Sequence, residues 1–180
     1  MLPRLGPLSA VGDHWVVGDP EPPGATCIEL GRAGVAVRRD GETSVRIPWP
    51  RVMELDLQVQ PGRLANTRGF ARFSRLLLNL GGAAPSVGLG PARLTASLRS
   101  PYEYWGAEFT RHRQGYRRRE TVAAAELVRQ VVGERPADRF GRPGWAAAVL
   151  TEAAAVRARP RASVVDRIGE ILRTGPRPGA

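Results

Sequence analysis

The sequence predicts an α+β fold: a small antiparallel β-barrel, closed or partly open, capped by a C-terminal helix and followed by two short helices. Three observations carry this expectation. Residues 31–60 hold three runs that alternate apolar and polar side chains with a period of two. That pattern puts one face of a sheet in a core and the other in water. Asp40-Gly41 separates the first two runs and supplies the left-handed turn of a tight hairpin. Beyond residue 117 the apolar period becomes helical, with Ala124, Leu127, Val128 and Val131 on one stripe.

In chain order, residues 1–25 contain five prolines and one apolar group, Trp15-Val16-Val17. They predict an irregular lead-in that contributes at most one edge strand. Cys27 to Leu30 is a short strand. The three runs follow: Val35 and Val37; Val45, Ile47 and Trp49; then Met53, Leu55, Leu57 and Val59, each set facing the core. Pro61-Gly62 ends the last run. Residues 66–80 change period. Phe70, Phe73, Leu76, Leu77 and Leu80 fall on one helical stripe, with Arg68, Arg72 and Arg75 opposite. This predicts an amphipathic helix inserted in the barrel, capped by Asn66 or Thr67 and stopped by Gly81-Gly82, either a lid over an open end of the barrel or an exposed interaction helix.

After a Gly/Pro-rich loop, Leu94, Ala96 and Leu98 alternate again, as do Trp105, Ala107 and Phe109. The capping helix spans 117–133. Residues 134–144, ERPADRFGRPG, have linker composition. The extension 145–173 then reads as two helices. The first has Trp145, Val149, Ala153 and Val156 in register. The second follows Pro160, is opened by Ser163 with Asp166 three residues on, and is lined by Val164, Ile168, Ile171 and Leu172. Residues 174–180 form a flexible tail. On this division a chain cut after Gly133 keeps its barrel.

Composition excludes several classes. No apolar run approaches the length of a membrane span. The first residues lack the apolar core of a secretory signal. Cys27 is the single cysteine, so no internal disulfide forms, which fits a reducing cytoplasmic compartment. All 27 basic residues are arginines, and the net charge is +10. The codon bias of a GC-rich genome accounts for the missing lysines. The charge is uneven. Residues 1–110 hold 12 arginines against 10 acids (+2), and residues 111–180 hold 15 against 7 (+8). An electrostatic partner therefore belongs at the C-terminal end.

One short motif points to a family. Gly34, the hairpin, Ile47-Pro48-Trp49, Val52 and Leu55 resemble the pattern of the bacterial pleckstrin-homology-like (PH-like) domains, and the resemblance extends over residues 26–133. It implies a barrel closed by a terminal helix and a module that binds partners. Many eukaryotic members hold phosphoinositides with basic residues, lysines prominent, around the first hairpin. Here Arg32, Arg38 and Arg39 stand among Glu29, Asp40 and Glu42, so that property is not implied.

Chemistry finds little purchase. His14 and His112 are the only histidines and Cys27 stands alone, so neither a metal centre nor a nucleophile–base pair is indicated. Gly88-Leu89-Gly90-Pro91-Ala92-Arg93 begins like a dinucleotide fingerprint but precedes a strand and lacks the third glycine. Glu54 and Asp56 share their strand face with Gln58 and Gln60, the composition of a solvated surface. No cofactor is expected and no enzyme activity. The expectation is a binding or scaffold module for a protein partner, cytoplasmic, with two alternatives. One is peripheral association with an anionic membrane at its inner face, through helix 68–80. The other is nucleic-acid binding through the arginine-rich C-terminal part, with Arg111, Arg113, Arg117, Arg118 and Arg119 as the anion-binding candidates.

Overall fold

The computed structural model describes residues 3–59, 92–156 and 161–175. Strands β1 (Arg4–Leu5), β2 (Leu8–Val11), β3 (His14–Val17), β4 (Thr26–Gly31), β5 (Gly34–Arg39) and β6 (Glu42–Ile47) form one antiparallel sheet in sequence order. Strands β7 (Val52–Gln58), β8 (Arg93–Leu98) and β9 (Glu103–Glu108) form a second. The helices are α1 (Arg118–Val131), α2 (Pro136–Phe140), α3 (Trp145–Ala155) and α4 (Arg161–Thr174).

The sheet does not close into the expected barrel. The chain leaves β6 at Pro48, turns through a 3₁₀ segment at Trp49–Arg51 and starts a separate ladder at Val52. Pro48 and Pro50 have no N–H to donate, so the ladder cannot run on through them. The two sheets touch at one corner, where the Thr110 N–H donates to the Thr26 carbonyl (2.8 Å) and the Thr26 N–H to Thr110 Oγ1 (3.0 Å).

The first 25 residues are not an irregular lead-in. They supply three strands, because the prolines fall outside the ladders while Gly6 (φ +57°) and Gly12 (φ +56°) provide left-handed turns. Two side chains expected in the core are exposed instead. Met53 is exposed, since the register shifts between Val52 and Glu54 and turns Val52 inward instead. Val45 is 41 % exposed because β6 is an edge strand.

The inner face of the first sheet (Trp15, Leu30, Val35, Ile47) and that of the second (Leu55, Leu94, Ala96) share one core with the helices. Helix α1 packs on β1 and β7, α3 on β1 and β2, and α4 on α1 and α3. Gly169 of α4 leaves room for the Gln130 side chain of α1, for a Cβ there would lie 2.8 Å from Gln130 Oε1.

Residues 134–144 are more than a linker. Pro136 takes the first turn of α2, where no N–H is needed. The helix then delivers Phe140, 1 % exposed, into a ring cluster. Its centroid lies 5.0 Å from Trp15, 5.2 Å from Trp145 and 6.1 Å from Trp49. Ser163 does not open α4, which starts at Arg161 and holds Ser163 inside its first turns.

Candidate interaction surfaces

The arginine run is a built turn. Gly115, at φ +65°, allows its N–H to reach the His112 carbonyl (3.2 Å). Tyr116 is buried beneath, and its hydroxyl accepts the His112 backbone N–H and lies 3.0 Å from His112 Nδ1. Burial pushes the phenol up. It pushes His112 down to about 4, with the Arg4 charge adding to the effect, so the imidazole is neutral at pH 7. Arg4 comes from β1 and lays its guanidinium 5.6 Å from the Tyr116 ring centroid. Helix α1 follows, and the Glu120 carboxylate accepts the Arg117 backbone N–H (3.4 Å) and lies 3.9 Å from Arg117 Nε.

Four of the five predicted anion-binding residues, Arg113, Arg117, Arg118 and Arg119, are therefore exposed on one turn, while Arg111 is half-buried. Arg4 joins them from far away in sequence, and only the fold shows it. The group can meet an anionic surface.

A second surface was not legible in the sequence. Cross-strand register places Glu54, Ser97 and Tyr104 in one row on the outer face of the second sheet. Tyr104 is 69 % exposed and Tyr102, on the β8–β9 turn, is 82 % exposed. The Met53 side chain, freed by the register shift, joins them at 47 %. Arginines stand around these three. Arg51 pairs with Glu103 (2.6 Å), Arg99 is exposed, and Arg129 is anchored to buried Glu126. The Arg129 guanidinium is held charged first by its hydrogen bond with Glu126. A groove of about 640 Å³ runs between β7 and the end of α1, with Met53, Glu54, Arg99 and Arg129 on its walls and Trp49 and Val52 at its base.

The other candidates separate. The helix expected at 66–80, with Phe70, Phe73, Leu76, Leu77, Leu80, Arg68, Arg72 and Arg75, lies outside the described residues, as does most of the Gly88–Arg93 motif. Glu54, Asp56 and Gln58 face solvent, and Gln58 Nε2 donates to Asp56 Oδ2 (3.0 Å). Cys27 is buried, and its thiol is pushed up first by burial and then by Glu29. Among the described residues no three His, Cys, Asp or Glu side chains gather where they could hold a metal. No helix of the described residues is long and apolar enough to cross a membrane.

No family model, curated protein or solved structure matches the chain.

Proposed function

We propose that the chain is a non-enzymatic binding module of PH-like architecture that docks a protein partner on the Tyr102–Tyr104–Met53 surface. One observation carries this reading: two tyrosines and a methionine stand in water beside a groove rimmed by arginines. Tyr, Met and Arg are the side chains enriched at protein interfaces, and aromatic and arginine anchors supply most interface energy. Free tyrosines and methionine at these exposures contribute nothing to the core, so a partner is the natural account of them. The PH-like reading rests on the Ile47-Pro48-Trp49 motif. Two antiparallel sheets joined there, with α1 packed on the second, support it.

The test is affinity purification from native cells with the wild-type chain and with the triple variant Tyr102→Ser/Tyr104→Ser/Met53→Ser. All three side chains are exposed, so the variant keeps its melting temperature. A protein recovered with wild type and lost with the triple variant is the expected result. An unchanged set of recovered proteins overturns the reading.

The arginine turn favours a second reading, nucleic acid held by its phosphates. Arg4, Arg113, Arg117, Arg118 and Arg119 then contribute a salt slope of about 0.9 per phosphate neutralised. Failure to be retained on duplex DNA at near-physiological ionic strength removes it.

A further inference from the structure

The outer face of the first sheet carries a cleft of about 310 Å³ whose lining shares no residue with either surface above. It is lined by Gly31, Gly34 and Ala36 of the hairpin together with Phe140 and Gly141. Gly31 and Gly34 pair directly across the β4–β5 hairpin, and Ala36 follows on the same face. Gly34 is obligatory, because at φ +132° its Cβ would lie 2.0 Å from the Ile47 carbonyl oxygen. Gly31 is under no such constraint, for its Cβ would meet only the His14 Cβ at 3.2 Å. A Cβ at Gly31 is thus opposed by one side chain and not by the backbone.

The rim is charged, and its charges are unequally engaged. Glu29 Oε1 accepts from Arg38 Nη1 at 2.5 Å and lies 3.6 Å from His14 Nε2. Asp13 Oδ1 accepts the Gly144 N–H at 3.2 Å. Both carboxylates are thus occupied. Arg32 on the hairpin turn and Arg46 on β6, opposite Ala36, are exposed and make no ion pair among the described residues. Counting Arg32, Arg46 and the neutral Glu29–Arg38 pair against Asp13 leaves one net positive charge. That balance suits a monoanion, whereas a phosphate dianion would face both rim carboxylates. A guanidinium fork matches a carboxylate in two parallel hydrogen bonds. The volume is at the small end for ligand sites, and a lining of glycine backbone, alanine methyls and the edge of Phe140 admits a flat body.

We propose that this cleft binds a small, flat organic acid, its carboxylate held between Arg32 and Arg46 and its body lying on Gly31, Gly34 and Ala36. The proposal goes beyond protein docking and involves none of the residues that carry it.

The experiment is amide and arginine-Nε NMR titration of the full chain with benzoate, benzamide and phenyl phosphate. Saturable shifts with benzoate at Gly31, Gly34, Ala36, Arg32 and Arg46 are expected, with none from benzamide. Arg32→Gln/Arg46→Gln should weaken benzoate binding about tenfold or more, since charge-assisted bonds are lost. Gly31→Ala, which fills the floor, should weaken it as well. Circular dichroism melts establish that both variants are folded. Shifts that never saturate, equal binding of benzamide, or an unchanged affinity in Gly31→Ala would each overturn the site. Tighter binding of phenyl phosphate than of benzoate would overturn the carboxylate assignment.

Discussion

The Trp15 indole N–H donates to the Ala146 carbonyl at 2.9 Å, joining residues 131 positions apart. The same indole stacks on Trp145 with centroids 5.5 Å apart. The bond ties β3 to the first turn of α3, so the helices after residue 144 complete the core of the first sheet. A chain ending at Gly133 would leave Trp15, Leu5 and Leu8 facing water, along with the apolar side of α1 that Ile168, Ile171 and Leu172 cover. We expect that truncation to lose its cooperative thermal transition and its near-ultraviolet circular dichroism, and a cooperative melt close to wild type would refute it. This reverses the expectation that the extension is dispensable.

Trp49 is buried although it lies in a 3₁₀ turn rather than a strand, and its indole N–H donates to the Gly31 carbonyl at 2.7 Å. Its ring is nearly parallel to Phe140. Trp49→Ala should cost roughly 3–5 kcal/mol by urea denaturation, from lost burial and the cavity left behind. Trp49→Phe should cost less, about 1 kcal/mol for the hydrogen bond plus the smaller ring.

His112 gives stability a pH dependence of known sign. Its pKa falls from 6.5 to about 4 on folding, burial being the larger cause. Between these values the unfolded chain binds the extra proton, so stability rises with pH across the window. The contribution is fully present above pH 6.5 and is lost as pH falls towards 4. The wild-type and His112→Gln urea midpoints, compared across pH 4–7, should differ in slope within this interval and run parallel above it. Parallel curves throughout would contradict the burial of the imidazole.

Two neighbouring glycines should respond differently to the same change. Gly34→Ala forces a Cβ to 2.0 Å from Ile47 O at a left-handed φ, which we expect to cost at least about 3 kcal/mol. Gly31→Ala meets only the His14 Cβ at 3.2 Å and should stay within about 1 kcal/mol of wild type. Equilibrium denaturation of both variants decides it.

Period-2 alternation located β5 to β9, Asp40-Gly41 marked the β5–β6 hairpin, and the α1 stripe lies fully inside the core. These signals are local and survive any tertiary arrangement. Phe140 was illegible for the opposite reason. It is one apolar residue among charges, prolines and glycines, and its burial depends on rings contributed by β3, the turn at Trp49 and α3. The exposure of Tyr102 and Tyr104 could not be read either, since tyrosine suits both core and surface. Met53 faces outward because of a register shift that alternation conceals. The arginine run was plain in the sequence, but the arrival of Arg4 on Tyr116 was not. The Gly31–Gly34 cleft left no signal, because strand pairing and the distant Phe140–Gly141 segment bring its lining together.

The span between Trp15 and Ala146 also sets a schedule for biosynthesis. At translation rates of about 5–20 residues per second, the ribosome needs on the order of ten seconds to add the intervening segment. Throughout that interval the emerging N-terminal ladder shows its tryptophan face to whatever is nearby, since the residues that cover it have not yet been made. We expect the nascent chain to be held by a chaperone until the helices that cover this face have been made.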